Sequence, residues 1–286
     1  GSSWRTILLD PAPAAVWEAG SGTDSVQTIG SGCDASGNSS VAEGFLTTAS
    51  GNNSHAEGDT TTASSDQSHA EGLQTISSNS ASHAEGNTTI ASGSASHAEG
   101  CNSVASGAYS HAEGLDTVSH IYASSAFSSG QFSIKGDCEE LKLFLKKATT
   151  NAVAANMLLG DGATTGIEIP TDSTVDFHVR YVALVTGGVA GTPGDTMVQE
   201  QKFSVQNLAD TLTLLTQTQA TTAGITTVAG NIIKYDAGSI GGLACDLTPT
   251  ISGTKVLFKV TGVADTDINH GCLINMVIMG YNNFSI

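Results

Sequence analysis

A three-residue motif, Ala-Glu-Gly, recurs six times at a fixed step of 14, at 42–44, 56–58, 70–72, 84–86, 98–100 and 112–114. No insertion or deletion interrupts it. Serine stands two residues before the alanine in every copy, from Ser40 to Ser110. Histidine stands between them at His55, His69, His83, His97 and His111, and Val41 holds that place in the first copy. Seven residues after each alanine comes a second small residue: Ala49, Ala63, Ser77, Ala91, Ala105 and Ser119. A fixed period of this kind is the signature of a solenoid, in which each unit buries its face only by stacking on the next.

Residue size sets the width of the coil. Side chains alternate along a strand, so Ser, Ala and Gly of each motif share one face, while His and Glu share the other. A face of such small residues approaches another backbone closely. The expected fold class is therefore all-β, beginning with a narrow parallel β-roll whose interior holds Ala42, Ala56, Ala63, Ala70, Ala84, Ala91, Ala98, Ala105 and Ala112. The glycines are expected to supply the turn conformations that other residues resist. A tube this thin holds no sizeable hydrophobic core, so it is expected to lean on copies of itself, most simply as a homotrimer.

The motif Ser40-Val41-Ala42-Glu43-Gly44 and its followers resembles the Ser-Val-Ala-Ile-Gly repeats of YadA-like trimeric autotransporter heads. The Ser-His-Ala-Glu-Gly form is similar to repeats of phage and prophage tail-fibre proteins. The resemblance covers about a third of the chain and implies a left-handed parallel β-roll associated as a trimer. The departure from the family pattern is that His and Glu replace the apolar Val and Ile.

The chain divides on texture into a cap or connector over 1–29, the repeat roll over 30–130, and a different domain over 131–286. Trp4 and Trp17 lie outside the repeats and are candidates to cover the open end of the coil. Over 118–130 the pattern decays; Ile121, Tyr122 and Phe127 look too bulky for the interior and are read as a closing cap and neck. Beyond it, the clearest strand places Val175, Phe177, Val179, Tyr181, Ala183 and Val185 on one face and Asp176, His178 and Arg180 on the other. Further strands are expected at 156–159, 166–169, 197–205, 211–216, 255–261 and 272–281. Residues 140–146 read as strand or short helix, and 205–215 is ambiguous. Eight or nine short strands with Gly, Asp and Pro turns suggest an antiparallel β-sandwich, jelly-roll-like. This half more loosely resembles the terminal domain that follows such repeats in tail-fibre-like phage proteins, which implies a trimeric tip that binds the host surface.

Composition narrows the partners. The net charge is −17, so nucleic acid is not an expected partner, because phosphate contacts need basic patches. No apolar run approaches membrane-spanning length and no secretory signal is visible, so membrane insertion is not expected. Cys33, Cys101, Cys138, Cys245 and Cys272 are odd in number and without close pairs, which suggests buried free thiols rather than disulfides or zinc.

The titratable groups concentrate in one ladder: His55, Glu57, His69, Glu71, His83, Glu85, His97, Glu99, His111 and Glu113. Three readings of it stand. The ladder faces the trimer axis and pairs between chains; or it faces solvent while Ile76, Ile90, Val104 and Val118 form the seam; or it binds metal ions at the axis. The first follows the family alignment and makes these ten residues an inter-chain ladder, with no metal or cofactor. No catalytic residues are expected: Ser points away from His within a strand, which defeats a triad, and Gly160-Asp161-Gly162 lacks a phosphate-binding lysine and helix. The expected function is a non-enzymatic trimeric phage or prophage fibre or tail protein of the virion. Its roll is a rigid spacer, and its tip meets a host glycan or protein receptor beside other tail or capsid proteins. A bacterial autotransporter-type adhesin head at the cell surface and a purely structural virion spike are the alternatives. Loops 160–166, 186–196 and 236–254 are the candidate contact surface.

Overall fold

A computed structural model describes residues 17–29, 31–163, 166–215, 225–228, 232–240 and 246–280. Among them there are strands, turns and bends but no helix, so none is long and apolar enough to cross a membrane. The chain forms two compact units, Gly1–Ala95 and Ser96–Ile286.

The first unit is parallel coil. Its long rungs Val41–Phe45, His55–Asp59, His69–Leu73 and His83–Asn87 pair in parallel with identical positions in register, Ala56 on Ala70 and Glu57 on Glu71. The half-step strands Asp34–Ala35, Thr48–Ala49, Thr62–Ala63, Ile76–Ser77 and Ile90–Ala91 form the opposite wall. Ala42, Ala49, Ala56, Ala63 and Ala70 are completely buried with Cys33 and Ala35 as one cluster. Thr47, Thr61, Thr75 and Thr89 are equally buried, a third interior column that the sequence does not announce. Before the coil, Trp17–Ala19 pairs antiparallel with Val26–Thr28, and Trp17 is exposed rather than closing an end; Trp4 lies outside the described residues.

Glycine supplies only part of the turning. Gly44, Gly58, Gly72 and Gly86 sit at φ between 108° and 115°. Two further left-handed positions in each coil carry other residues. One column runs Leu46, Thr60, Gln74 and Thr88, and the other Ser39, Asn53, Gln67, Ala81 and Ala95. A β-branched residue is least suited there. In the second unit the matching position holds Asn102 and Asp116, residues that tolerate it. Thr60, at φ 60°, bonds through its side chain only to the neighbouring Asp59 carboxylate on the surface. Thr60→Asn is therefore expected to stabilise the first unit by about 1 kcal/mol. Urea denaturation checks this, and an unchanged or lower midpoint refutes it.

The second unit starts with the same architecture. His97–Cys101, His111–Leu115 and Ser125–Ser129 stack in parallel, with Val104–Ala105 beside Val118–Ser119. The third of these rungs corrects the reading of 118–130 as a cap. Phe127 takes the register of Glu113 and points outward, 51% exposed, while Ala126 fills the interior. The bulk of Phe127 is tolerated because it faces away from the tube, whereas Ile121 is buried in the core of the antiparallel domain. Ser125–Ser129 then pairs antiparallel with Cys138–Thr149, which turns coil into sheet. The connection is clamped: the buried Asp137 carboxylate accepts hydrogen bonds from the backbone N–H groups of Phe132, Ser133 and Ile134 at 2.7–2.9 Å, and Glu139 accepts one from Val118 N–H at 2.9 Å.

From there the sheet runs in the order Cys138–Thr149, Asp267–Gly280, Ser173–Gly187, Thr196–Leu208, Ile232–Ile240, Ile225–Val228, all antiparallel, with Thr211–Leu214 also on the 196–208 strand. A smaller antiparallel sheet holds Ala154–Asn156, Lys255–Thr261, Ile167–Glu168 and Asp246–Ser252. The two sheets share one core. Phe177 stacks on Phe203 at 4.8 Å, and Phe258 of the smaller sheet meets both rings at 6.1 and 6.2 Å. The alternation read from 175–185 holds at every position. Residues 140–146 are strand, and 196–208 and 211–214 are strands joined by a turn at Ala209-Asp210. Of the stretch 236–254, expected as a loop, 236–240 and 246–252 are strand, and 241–245 lie outside the described residues. Cys33 and Cys272 are buried, but Cys101 is exposed, against the expectation of buried thiols; Cys245 lies outside the described residues.

Candidate functional site

The ladder stands on the outer face of the long rungs, where strand alternation sends His and Glu opposite to the buried Ser and Ala. In the first unit the rings of His55, His69 and His83 stack nearly parallel, with centroids 4.8 and 4.7 Å apart. That is the rung spacing, so stacking follows from the in-register repeat. Each His reaches back one rung to a Glu: His55 to Glu43 at 3.5 Å, His69 to Glu57 at 3.6 Å and His83 to Glu71 at 3.4 Å. In the second unit His97 stacks on His111 at 4.9 Å, and His111 lies 3.0 Å from Glu99. About a third of each of these paired side chains is exposed within a single chain. Glu85 and Glu113 stand in the same glutamate columns of their units.

The electrostatics follow from stacking like groups. Hydrogen bonds with Glu85 and Glu57 hold a proton on Glu71 and push its carboxyl up to about 7. Hydrogen bonds from Glu43 and Glu71 move Glu57 the other way, below the usual range. Burial, with His55 beside it, lowers His69. Glu57 and Glu71 thus share a proton instead of both ionising. The Nε2 atoms of His55 and His69 are enclosed and make no hydrogen bond. The donors of His55, Glu57 and His69 converge within 4.8 Å, as do those of Glu71, His83 and Glu85, and of Glu99, His111 and Glu113.

Asp176 and His178 do not form a pair with each other. His178 bonds to Glu200 at 2.6 Å, and Asp176 accepts from Ser204 at 2.6 Å, both across strands. A feature the sequence does not announce lies on the outer face of the larger sheet. Phe144, Val182, Val198, Leu273, Val277 and Met279 are all exposed there. Around Phe144 and Val182 opens a groove of about 740 Å³ rimmed by Lys146 and Lys147, with His270 at its edge. The available signal was Phe144, an apolar residue out of phase between the inward Leu143 and Leu145. Of the proposed contact loops, Gly162 reaches this groove, and Val189 in 186–196 is almost fully exposed.

No family model matches the chain, and no curated protein matches it, so the likeness of the repeats to YadA-like heads rests on the motif itself. Among solved structures the chain is similar to phage tailspikes. One is tailspike gp49 of Acinetobacter baumannii bacteriophage Fri1, described as a capsular polysaccharide depolymerase, at 6% identity and a TM-score of 0.28 over 89% of this chain and 64% of that one. Another is the tailspike of Acinetobacter baumannii phage AM24, at 11% identity and 0.22 over 83% and 52%. A third is the tailspike of Acinetobacter phage vB_ApiP_P1, at 11% and 0.22 over 85% and 50%. The chain spans between half and two thirds of the length of these structures. The expectation of a non-enzymatic chain is corrected by the first of them: a tailspike to which this chain is similar is described as a depolymerase, and absence of catalysis is not carried forward. That activity is the Fri1 protein's and is not assigned to this chain.

Proposed function

We propose that this chain is a trimeric phage tail or fibre component, with the coil as a rigid spacer and the antiparallel domain as the part that meets a host-surface polysaccharide or protein. The observation that carries the reading is the mismatch between the two faces of the fold. The coil interior is Ala, Ser and Thr alone along its regular rungs, too little apolar area to hold a free-standing rod. Meanwhile the larger sheet exposes a row of large apolar side chains from Phe144 to Met279. Contiguous apolar surface on this scale suits a protein interface. Association of three copies would cover each of these faces. The in-register His/Glu ladder lies on one side of every rung, the side this reading turns toward the trimer axis. Its repetition favours one alignment between chains, because a slip would strand polar groups. On this reading host contact falls to the candidate loops 160–166 and 186–196, whose described residues 160–163 and 188–190 are exposed.

Light scattering on the purified chain is expected to give about 87 kDa, three times the 28.9 kDa chain. A stable 28.9 kDa particle at micromolar concentration refutes the trimer. The same preparation, incubated with host capsular polysaccharide, is read both for bound protein and for polysaccharide chain length. Neither binding nor change across a host panel refutes the host-contact role.

A further inference from the structure

We infer that the His/Glu ladder of the first unit is a row of transition-metal sites, each assembled within one chain, for zinc or an ion of the same preference. It does not rest on the trimer, because every donor comes from a single chain.

The distances separate this from a row of ordinary ion pairs. A charge-assisted N–H···O bond closes to about 2.7–2.9 Å, and His178 with Glu200 does so at 2.6 Å in this protein. The three pairs of the first unit stand at 3.5, 3.6 and 3.4 Å. Two ligands each about 2.0–2.2 Å from a tetrahedral ion are about 3.4 Å apart. Two of these pairs, His69–Glu57 and His83–Glu71, therefore stand at the edge length of a zinc tetrahedron, and the remaining donors, all within 4.8 Å, close in by about 1 Å around an ion. The enclosed and unbonded Nε2 atoms of His55 and His69 are the second observation. They are two ring nitrogens on the outer face, shielded by their neighbours and making no hydrogen bond.

Within the first unit the donors sort into two triads with no residue in common. His55, Glu57 and His69 form one, and Glu71, His83 and Glu85 form the next. Each supplies three ligands and leaves the fourth position to water through the exposed edge of the ladder, an arrangement common to open zinc sites. Imidazole with carboxylate suits zinc, nickel or copper, whereas calcium and magnesium need more oxygens. In the second unit, Glu99, His111 and Glu113 converge as well, but His111 already closes on Glu99 at 3.0 Å, so that triad is the weaker. An ion held between His55 and His69 ties one rung to the next, so the row works as a set of staples on a coil with a thin core.

The test is titration of the chelator-stripped whole protein with zinc chloride by calorimetry. The expected result is two tight equivalents per chain, with magnesium chloride giving none. Cobalt(II) in place of zinc is expected to show the visible absorption of a four-coordinate ion. The double variant His69→Val, His83→Val puts into two rungs the residue that Val41 already supplies in the first, so the coil is expected to fold, and circular dichroism checks that it does. It is expected to lose both equivalents, while His178→Gln loses neither. No zinc uptake, or uptake unchanged in a folded double variant, overturns the proposal. A monomeric protein that still takes up two ions supports it and refutes the trimer alone.

Discussion

Gly72→Ala is expected to open the coil. Two independent constraints meet at this position. Its φ is +109°, a region that residues with a Cβ rarely enter. A Cβ there would also lie 2.1 Å from the carbonyl oxygen of Gly86 and about 3 Å from that residue's backbone C and N. The obstacle is the backbone of the next rung, so no side-chain rotation relieves it. Either the His69–Leu73 and His83–Asn87 strands separate, or Gly72 changes conformation and the turn after it is lost. The expected cost is at least about 4 kcal/mol, the sum of backbone strain and a broken rung. Gly162→Ala is the matched control: its φ is +72° and nothing lies within 4 Å of the added carbon, so strain alone applies. That substitution is expected to cost about 1 kcal/mol. Amide hydrogen exchange in the rungs on either side of Gly72 reads the difference. Comparable losses from the two substitutions would show that the rungs are not held by this close approach.

The Gly72 column shows what kind of information a repeat carries. Ala and Gly columns were legible because nothing larger fits and the same type recurs in every copy. The Thr47, Thr61, Thr75, Thr89 column was not, because Thr is usual on a surface and its burial comes only from the closing of the half-step wall. The Ser125–Ser129 rung was misread for a related reason. Composition registers the size of Phe127, but only pairing registers that it points outward. In the antiparallel sheets, 173–187 declared itself by alternation. Ile232–Ile240 and Asp246–Ser252 did not, since Gly, Asp and Pro within them read as turns. The ladder was legible as a face but not as a set of pairs. Each His meets a Glu twelve positions earlier rather than two positions away, a diagonal set by rung stacking and side-chain lean. His270 gave no signal at all. Its partners Thr149 and Tyr181 lie 121 and 89 residues away and meet it only once three strands pair.

That buried histidine and one buried glutamate act on the pH response of the second unit in opposite directions. His270 is held between the Tyr181 hydroxyl at 2.7 Å and the Thr149 hydroxyl at 2.8 Å. Burial lowers it to about 4 from an ordinary 6.5. A neutral ring donates once and accepts once in this arrangement, whereas a protonated ring would need both hydroxyls to accept. Between pH 6.5 and 4 the folded state therefore holds one proton fewer than the unfolded chain, and stability falls as pH falls. Glu139 is the reverse case. Burial pushes it up to about 8 from 4.5, against the hydrogen bond from Val118 N–H and with Asp137 adding to the rise. Between pH 4.5 and 8 the folded state holds one proton more, so stability rises as pH falls. Each proton difference is worth up to about 1.4 kcal/mol per pH unit. Of these two groups only Glu139 acts from pH 8 to 6.5, and from 6.5 to 4.5 their two slopes cancel. Glu139→Gln is expected to uncover the histidine, losing about 2–3 kcal/mol relative to wild type between pH 6.5 and 4.5. His270→Gln, starting from a lower baseline, is expected to gain about 2–3 kcal/mol relative to wild type over the same interval. Taking differences from wild type removes the background of the other carboxylates, which all three proteins share. Urea midpoints of the second unit at pH 8, 6.5 and 4.5 decide the matter. Three parallel curves would mean that neither group titrates where its burial places it, and that the junction and the sheet are more open to water than their packing indicates.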